Sequence, residues 1–402
     1  MKSATPKVLH SVCGRPMIQY VVDLVRTLGS LKTYVVLGHR YDAVHKALDK
    51  GLIAVRQKRL LGTGDAIMSA AAHFKNHRGE VIVVCGDTPL LKKATVQNLI
   101  RKHRSAQAAG SVLTAVVDCP QGYGRIIRDG HGDIVAIRED KDVTPSEKEI
   151  NEINVGVYCF DSRALFKTIA SLRINRKKKE FYLTDIVELF RQKGWVFKTA
   201  QTDDAVEGLG INNREDLAFA EGVLRRRILK DLMAEGLTIV DPKTTYVDAG
   251  VVIGRDTIIR PFTVIENNVR IGRRCLIGPF CRLRPGTKIE DEAEIGNFTE
   301  VSRTQFGNGS LMKHFSFLGD AVVGSKVNIG AGTVTANYDG KNKNRTHIGN
   351  EAFIGSDSIL VAPVKIGKRA MTGAGSVVTK GKVVPEGKIA VGVPARILGR
   401  KH

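Results

Sequence analysis

The sequence predicts two architectures in series: an α/β Rossmann-like domain, then a left-handed parallel β-helix of hexapeptide repeats. Three observations carry that prediction. Nine apolar residues stand at an unbroken spacing of six (Ile253, Ile259, Ile265, Ile271, Ile277, Leu283, Ile289, Ile295, Val301), and the beat returns at Ile348, Ile354, Leu360 and Ile366. Upstream, short β-branched runs alternate with helix-like stretches. The chain's 402 residues also exceed one ordinary core, so two domains are expected.

A period of six fits neither a helix nor an alternating strand. It fits a coil of three short strands in which one aliphatic residue per hexapeptide stacks inward. Glycine follows many of these positions, as at Gly254, Gly272, Gly278, Gly296, Gly349, Gly355 and Gly367, and is expected to let the chain turn each corner. This assigns residues 247–402 to the repeat. In residues 1–212 the runs near 33–38, 81–87, 111–117 and 153–160 read as strands of a largely parallel sheet. Between the two, over 213–246, Leu217, Ala220, Leu224, Ile228 and Leu232 recur at helical steps, Gly236 is a C-cap and an extended connector follows.

The net charge of +21 is compatible with nucleic acid, with phosphorylated small substrates or with a basic proteome. The basic residues are scattered, with small clusters at 176–179 and 225–227. No RNA-binding aromatic motif accompanies them, which disfavours nucleic acid. No apolar run reaches membrane length and the N-terminus has no signal-peptide core, so a cytoplasmic protein without membrane contact is expected. The six cysteines form no C-x-x-C pair or metal-spaced cluster, and buried thiols are expected.

Asp87 closes the run VIVVCGD at a strand end, where ligands of such sheets collect. It reads equally as a magnesium ligand or as a turn-initiating residue before Thr88-Pro89. A set of motifs in one order is more specific: Pro6–His10 (PKVLH), Leu61–Ala66 (LGTGDA), Cys85–Leu90 (CGDTPL), Gly122–Ile126 (GYGRI), Glu152–Gly156 (EINVG), Glu180–Asp185 (EFYLTD) and Gly210–Arg214 (GINNR). This series resembles the sugar-1-phosphate nucleotidyltransferases. The repeat resembles the hexapeptide acyltransferases, usually homotrimers that bind an acyl thioester between neighbouring coils. Together, nearly end to end, the chain is similar to the bacterial bifunctional N-acetylglucosamine-1-phosphate uridyltransferase/glucosamine-1-phosphate acetyltransferase family.

The resemblance implies that Lys7 contacts phosphate, that Gln57, Gly62 and Thr63 hold uracil, and that Gly124, Glu139 and Asn154 hold N-acetylglucosamine. It also implies that Asp87 and Asn212 ligate Mg²⁺ while the sugar phosphate attacks the α-phosphorus of UTP. The family opens with a strand and a Gly-rich loop, L-A-A-G-x-G-T-R-M, and this sequence begins at the methionine closing that motif. Without the loop, uridylyl transfer by the chain as it stands lacks its phosphate clamp. A late-assigned or truncated start is expected, because the other UTP and sugar motifs are intact.

In the repeat, the interruption between Thr335 and His347 is polar, and a loop thrown out of a solenoid is where function usually sits. By resemblance, His314 is the general base for the 2-amino group of glucosamine 1-phosphate, and Asn337 polarises the acetyl thioester and stabilises the oxyanion. Arg284 and Lys343 would grip the phosphate, Asn328 and Tyr338 the sugar, and Ser356 and Ala374 would line the acetyl-CoA groove. Three positions depart from the family. Ser302 stands where a phosphate-binding lysine is usual, with Arg303 adjacent but expected on the opposite face of a strand. Phe317 replaces a tyrosine, and the ending Gly392–Ile397 (GVPARI) is of the generic acyltransferase type. Ser302 and Phe317 allow one alternative, acetylation of another amino-sugar phosphate, and the missing Gly-rich loop allows a second, a non-catalytic trimeric scaffold or sugar-nucleotide sensor.

Overall fold

The six-residue rhythm becomes a column of buried side chains. In the computed structural model, which describes residues 1–29, 32–175 and 179–399, all nine regular repeat positions from Ile253 to Val301 are buried. Two to four residues around each pair in parallel with the next coil, as Ile253 does with Ile271 and Ile259 with Ile277. Three sheets result, parallel except for the closing strand Arg396–Ile397, and wound round one aliphatic core that Leu229 and Leu232 extend at its start. Most of the basic 176–179 cluster lies outside the described residues.

The column does not stop where the sequence rhythm blurs. Phe306, Met312, Leu318, Val323, Ile329 and Thr335 continue it, all buried. Val301 to Phe306 and Leu318 to Val323 are steps of five, and Thr335 to Ile348 is a step of thirteen. Each shortened coil turns on a left-handed residue, Arg303 at φ 48° and Asp320 at φ 52°.

The expected role of the repeat glycines needs correction. Most corners turn on a non-glycine residue three places after the inward aliphatic one, such as Asp256, Phe262 or Asn268. The glycine directly after that aliphatic residue is required by close approach instead. A Cβ on Gly254 would lie 2.6 Å from Gly272 C, and one on Gly296 2.0 Å from Lys313 O.

The chain divides into two compact units, Met1–Ala220 and Glu221–His402, and the division falls inside the helix Arg214–Ala234. Gly236, at φ +100°, follows that helix as expected. In the first unit the sheet order is Phe197–Gln201, Gly110–Val116, Glu152–Asp161, Arg125–Arg128, Ile134–Arg138, with Glu80–Val83 also against Glu152–Asp161. The sheet is mixed rather than largely parallel, because Glu152–Asp161 runs antiparallel to its neighbours and Arg125–Arg128 and Ile134–Arg138 form an antiparallel pair. A parallel pair, Tyr34–Leu37 with Ile53–Arg56, stands as a separate sheet. Among the described residues no helix is long and apolar enough to cross a membrane.

The close coil contact predicts that Gly296→Ala destabilises the β-helix by roughly 1–3 kcal/mol, since backbone must move to admit the methyl group. Gly130→Ala, with open space around it, should change stability by less than about 0.5 kcal/mol. Denaturant unfolding of the two variants checks both.

Candidate functional sites

In the first unit the residues expected at the nucleotide and sugar form three groups. Lys7 sits in a short 3-10 turn, Asp87 beyond the strand Glu80–Val83, and Asn212 just before the helix Arg214–Ala234. The Lys7 ammonium donates to Asp87 Oδ2 at 2.5 Å and to Asn212 Oδ1 at 2.9 Å. Ile211 N donates to Asp87 O at 3.0 Å and holds the two loops together. A carboxylate and an amide oxygen therefore converge on one cationic centre.

Gln57, Gly62 and Thr63 form the second group. Gln57 Nε2 donates to Gly62 O at 3.1 Å and to Asp65 Oδ2 at 2.9 Å. Gly62 has φ +90°, and a Cβ there would lie 2.8 Å from Phe181 O, so no other residue fits without backbone movement. In the third group Asn154 N donates to Gly124 O at 2.8 Å, and Asn154 Nδ2 donates to Tyr158 OH at 2.8 Å. Glu139 accepts from Thr184 Oγ1 at 2.9 Å. Burial pushes the Glu139 carboxyl above its ordinary pKa.

The Glu180–Asp185 segment joins the second and third groups, a role the sequence did not disclose. Phe181 N donates to Leu61 O at 2.7 Å, Gly64 N to Phe181 O at 2.8 Å, and Leu183 N to Thr63 Oγ1 at 3.1 Å. Thr184 then reaches Glu139. Asp185 closes the segment, and burial, with the neighbouring Glu188 and Glu139 charges, pushes its carboxyl up to about 6.

In the β-helix the expected residues fall at two corners of one sheet. His314 precedes the strand Ser316–Gly319 and is exposed. Continuing the register Met312↔Ile329↔Ile354↔Thr372 by two residues stacks His314, Ala331, Ser356 and Ala374 in one line. Asn328 lies on the strand that leads into this corner. At the far end of Ser316–Gly319 the registers Ser302↔Gly319 and Phe317↔Val334 extend to Arg303↔Asp320↔Asn337 in three successive coils. Arg284 stands one coil earlier beside Ser302, while Tyr338 and Lys343 follow Asn337 and pair across its loop. On one chain His314 and Asn337 are not brought together: the intervening four-residue strand spans about 13 Å at about 3.3 Å per residue.

The Asn337 corner is densely bonded. Arg303 donates from Nε to Asp320 Oδ1 at 2.7 Å, from Nη2 to Asp320 Oδ2 at 2.9 Å, and from Nη1 to Ser302 Oγ at 2.8 Å. Asn337 Nδ2 donates to the same Asp320 Oδ2 at 2.5 Å. The Arg303 guanidinium, then Asn337 and the Lys343 charge, holds the Asp320 carboxyl below the usual range. The expectation that Arg303 faces away from Ser302 is thus incorrect: the strand ends at Ser302, and the left-handed backbone of Arg303 returns its side chain over the serine hydroxyl. Arg284 donates from Nη1 to Glu300 at 2.8 Å, while its buried Nε has no protein partner. The 338–344 loop closes on Asp339, which accepts from Lys341 N, Asn342 N and Asn344 Nδ2.

Asp185 gives a pH test. Folded, it keeps its proton up to about 6, whereas an unfolded aspartate titrates near about 4. The folded state binds more protons between those values, so this group's contribution to stability falls as pH rises through that window. Asp185→Asn should therefore be more stable than wild type above pH about 6, with the difference shrinking toward pH about 4. Urea unfolding across that range measures it.

Comparison with known proteins agrees with this architecture. Residues 1–186 match the MobA-like NTP transferase domain, and residues 268–303 and 345–380 match the bacterial transferase hexapeptide (six repeats). The bifunctional protein GlmU of Geobacillus thermodenitrificans is 44% identical over 98% of this chain and 92% of its own length. Those of Geobacillus sp. WCH70 and Heliobacterium modesticaldum are each 43% identical, over 97% and 100% of this chain and 92% and 96% of theirs. With both halves and nearly the whole length shared, the chain belongs to the GlmU family of bifunctional transferases, a nucleotidyltransferase domain ahead of an acetyltransferase β-helix.

Proposed function

We propose that the β-helix acetylates glucosamine 1-phosphate with acetyl-CoA, and that the first unit joins the product to UTP, giving UDP-N-acetylglucosamine and pyrophosphate. The stacked corner at Arg284, Ser302, Asp320, Asn337 and Lys343 is the observation that carries this reading. It gathers fixed donors and two cationic side chains beside a half-buried Phe317. Arg284 gives Nη1 to Glu300 and its side chain is 40% exposed, which supports a phosphate ligand on the rest of the guanidinium. A scaffold or sensor role leaves that arrangement without a purpose.

In acetyl transfer, His314 takes a proton from the 2-amino group, and the amine nitrogen attacks the thioester carbon. Asn337 keeps one Nδ2 hydrogen off Asp320, and that hydrogen is free to meet the developing oxyanion. Collapse expels the CoA thiolate, which takes up the proton that His314 removed. Arg284 and Lys343 neutralise the sugar phosphate, Asn328 and Tyr338 contact the sugar, and Ser356 and Ala374 border the thioester arm. No acyl-enzyme is invoked. Of the two cysteines in the coils, Cys275 and Cys281, both are buried, and burial pushes the Cys281 thiol up to about 12.

Because His314 and Asn337 occupy opposite corners of one chain, we place the site between copies, most simply in a homotrimer. The stacked rings of Phe262, Phe280 and Phe298, with centroids 4.8 and 5.0 Å apart, support a copy-to-copy surface. They are 52%, 46% and 63% exposed, unusual for phenylalanine.

In uridylyl transfer, a phosphate oxygen of N-acetylglucosamine 1-phosphate attacks the α-phosphorus and pyrophosphate departs. Asp87 and Asn212 fit Mg²⁺, since both are hard oxygen donors already aimed at one cation. No cluster of three or more His, Cys, Asp or Glu side chains gathers as a metal site among the described residues. Phosphate and water oxygens would complete the shell, as is usual for magnesium. The ion would neutralise triphosphate charge as it develops. Lys7 would hold phosphate, Gln57, Gly62 and Thr63 the uracil, and Gly124, Glu139 and Asn154 the acetylated sugar. We place both steps in the cytoplasm, a setting that suits six cysteines with no disulfide among the described residues.

His314→Ala should lower acetyl transfer at least about a hundredfold, measured as thiol release from acetyl-CoA, while uridylyl transfer is unchanged. EDTA should do the reverse, abolishing pyrophosphate release and sparing acetyl transfer. Thiol release that persists in His314→Ala contradicts the assignment of the base.

A further inference from the structure

The Arg303–Asp320–Asn337 stack contains two charged residues that the proposed chemistry does not use. Three Arg303 donors point inward, two on Asp320 and one on Ser302. A guanidinium committed in this way is a poor candidate to replace a phosphate-binding lysine. The Asp320 side chain is only 14% exposed, and its Oδ2 accepts from both Arg303 and Asn337. Asn337 itself is 8% exposed and lies over Gly319, where a Cβ would be 2.6 Å from its Nδ2.

We infer that Asp320, clamped by Arg303 and Ser302, is a positioning residue that fixes the orientation of the Asn337 amide for acetyl transfer. This rests on the reading of the corner as the acetyltransferase site. An asparagine amide has two orientations related by a flip, which exchange a donor for an acceptor. Asp320, an ionised acceptor, admits only the orientation with Nδ2 toward it. Its carboxylate is itself held by the fork of Arg303, and that fork reaches in because residue 302 is small. A long side chain at 302 would occupy the space that the guanidinium fills. Ser302 and Arg303 together thus form a support for Asn337 rather than a weakened phosphate site.

The test is a double-mutant cycle on the full chain, with glucosamine 1-phosphate and acetyl-CoA and thiol release as the signal. Asp320→Ala is expected to lower kcat by at least about tenfold, with the KM for glucosamine 1-phosphate within about threefold of wild type. In an Asn337→Ala background the same change should have little further effect, within about twofold, because Asp320 acts through the missing amide. Arg303→Lys, which keeps a charge on Asp320, should retain more activity than Arg303→Met. Wild-type kcat in Asp320→Ala, a loss confined to KM, or an equal loss in both backgrounds overturns the inference. If Asp320→Ala fails to assemble, the cycle of Arg303→Met with Asn337→Ala decides by the same criterion. A folded wild-type chain that releases no thiol overturns the acetyl-transfer reading and this inference with it. Turnover that is lost in Asn337→Ala but kept in Asp320→Ala overturns this inference alone.

Discussion

The register between coils determines where every side chain of the second unit stands. Each coil lays its inward aliphatic residue on the one below, and parallel pairing carries that alignment outward to the corners. Residues far apart in sequence then share a line along the solenoid. A coil shortened or extended at one corner keeps the column in step only if the change is absorbed at that corner. The two steps of five and the excursion of thirteen all fall at the same edge, in consecutive coils, at Arg303, Asp320 and Asn337. The candidate site is built from these local departures, while the repeat around them stays regular.

Burial and charge reinforce one another at that edge. Asp320 is largely withdrawn from water, which would penalise its charge, but two guanidinium bonds and one amide bond favour the ionised form and outweigh burial. The opposite balance holds at Asp185 in the first unit, where no ion pair among the described residues compensates and burial raises the carboxyl. Two aspartates of one chain are thus set apart by partners rather than by depth alone.

Much of this was legible in the sequence. The spacing of six located the solenoid because every regular rung carries an Ile, Leu or Val, and the ordered motifs located the nucleotide and sugar groups. The stretch from 302 to 347 was not legible as continuous coil, since the short steps into Phe306 and Val323 and the long one into Ile348 break the spacing, while Phe306, Met312 and Thr335 break the residue type. The glycines after many rungs were visible, but their cause was not, because the atoms they must avoid belong to a neighbouring coil. Arg303 was assigned to the wrong face because its left-handed backbone ends the strand one residue early. The Glu180–Asp185 link was hidden for another reason: Leu183 N and Thr63 Oγ1 are 120 residues apart. No local pattern reports a bond of that kind.

In the homotrimer proposed above, the acetyl-transfer site takes one edge from each of two copies, with His314 and Asn337 supplied by different chains. Co-expressing the His314→Ala and Asn337→Ala chains as mixed oligomers and measuring thiol release from acetyl-CoA tests it most directly. Random mixing in a closed ring would rebuild about one site in four from two intact edges, and activity should recover to about a quarter of wild type. Mixed oligomers no more active than either parent would place both residues in one chain's site and contradict the account.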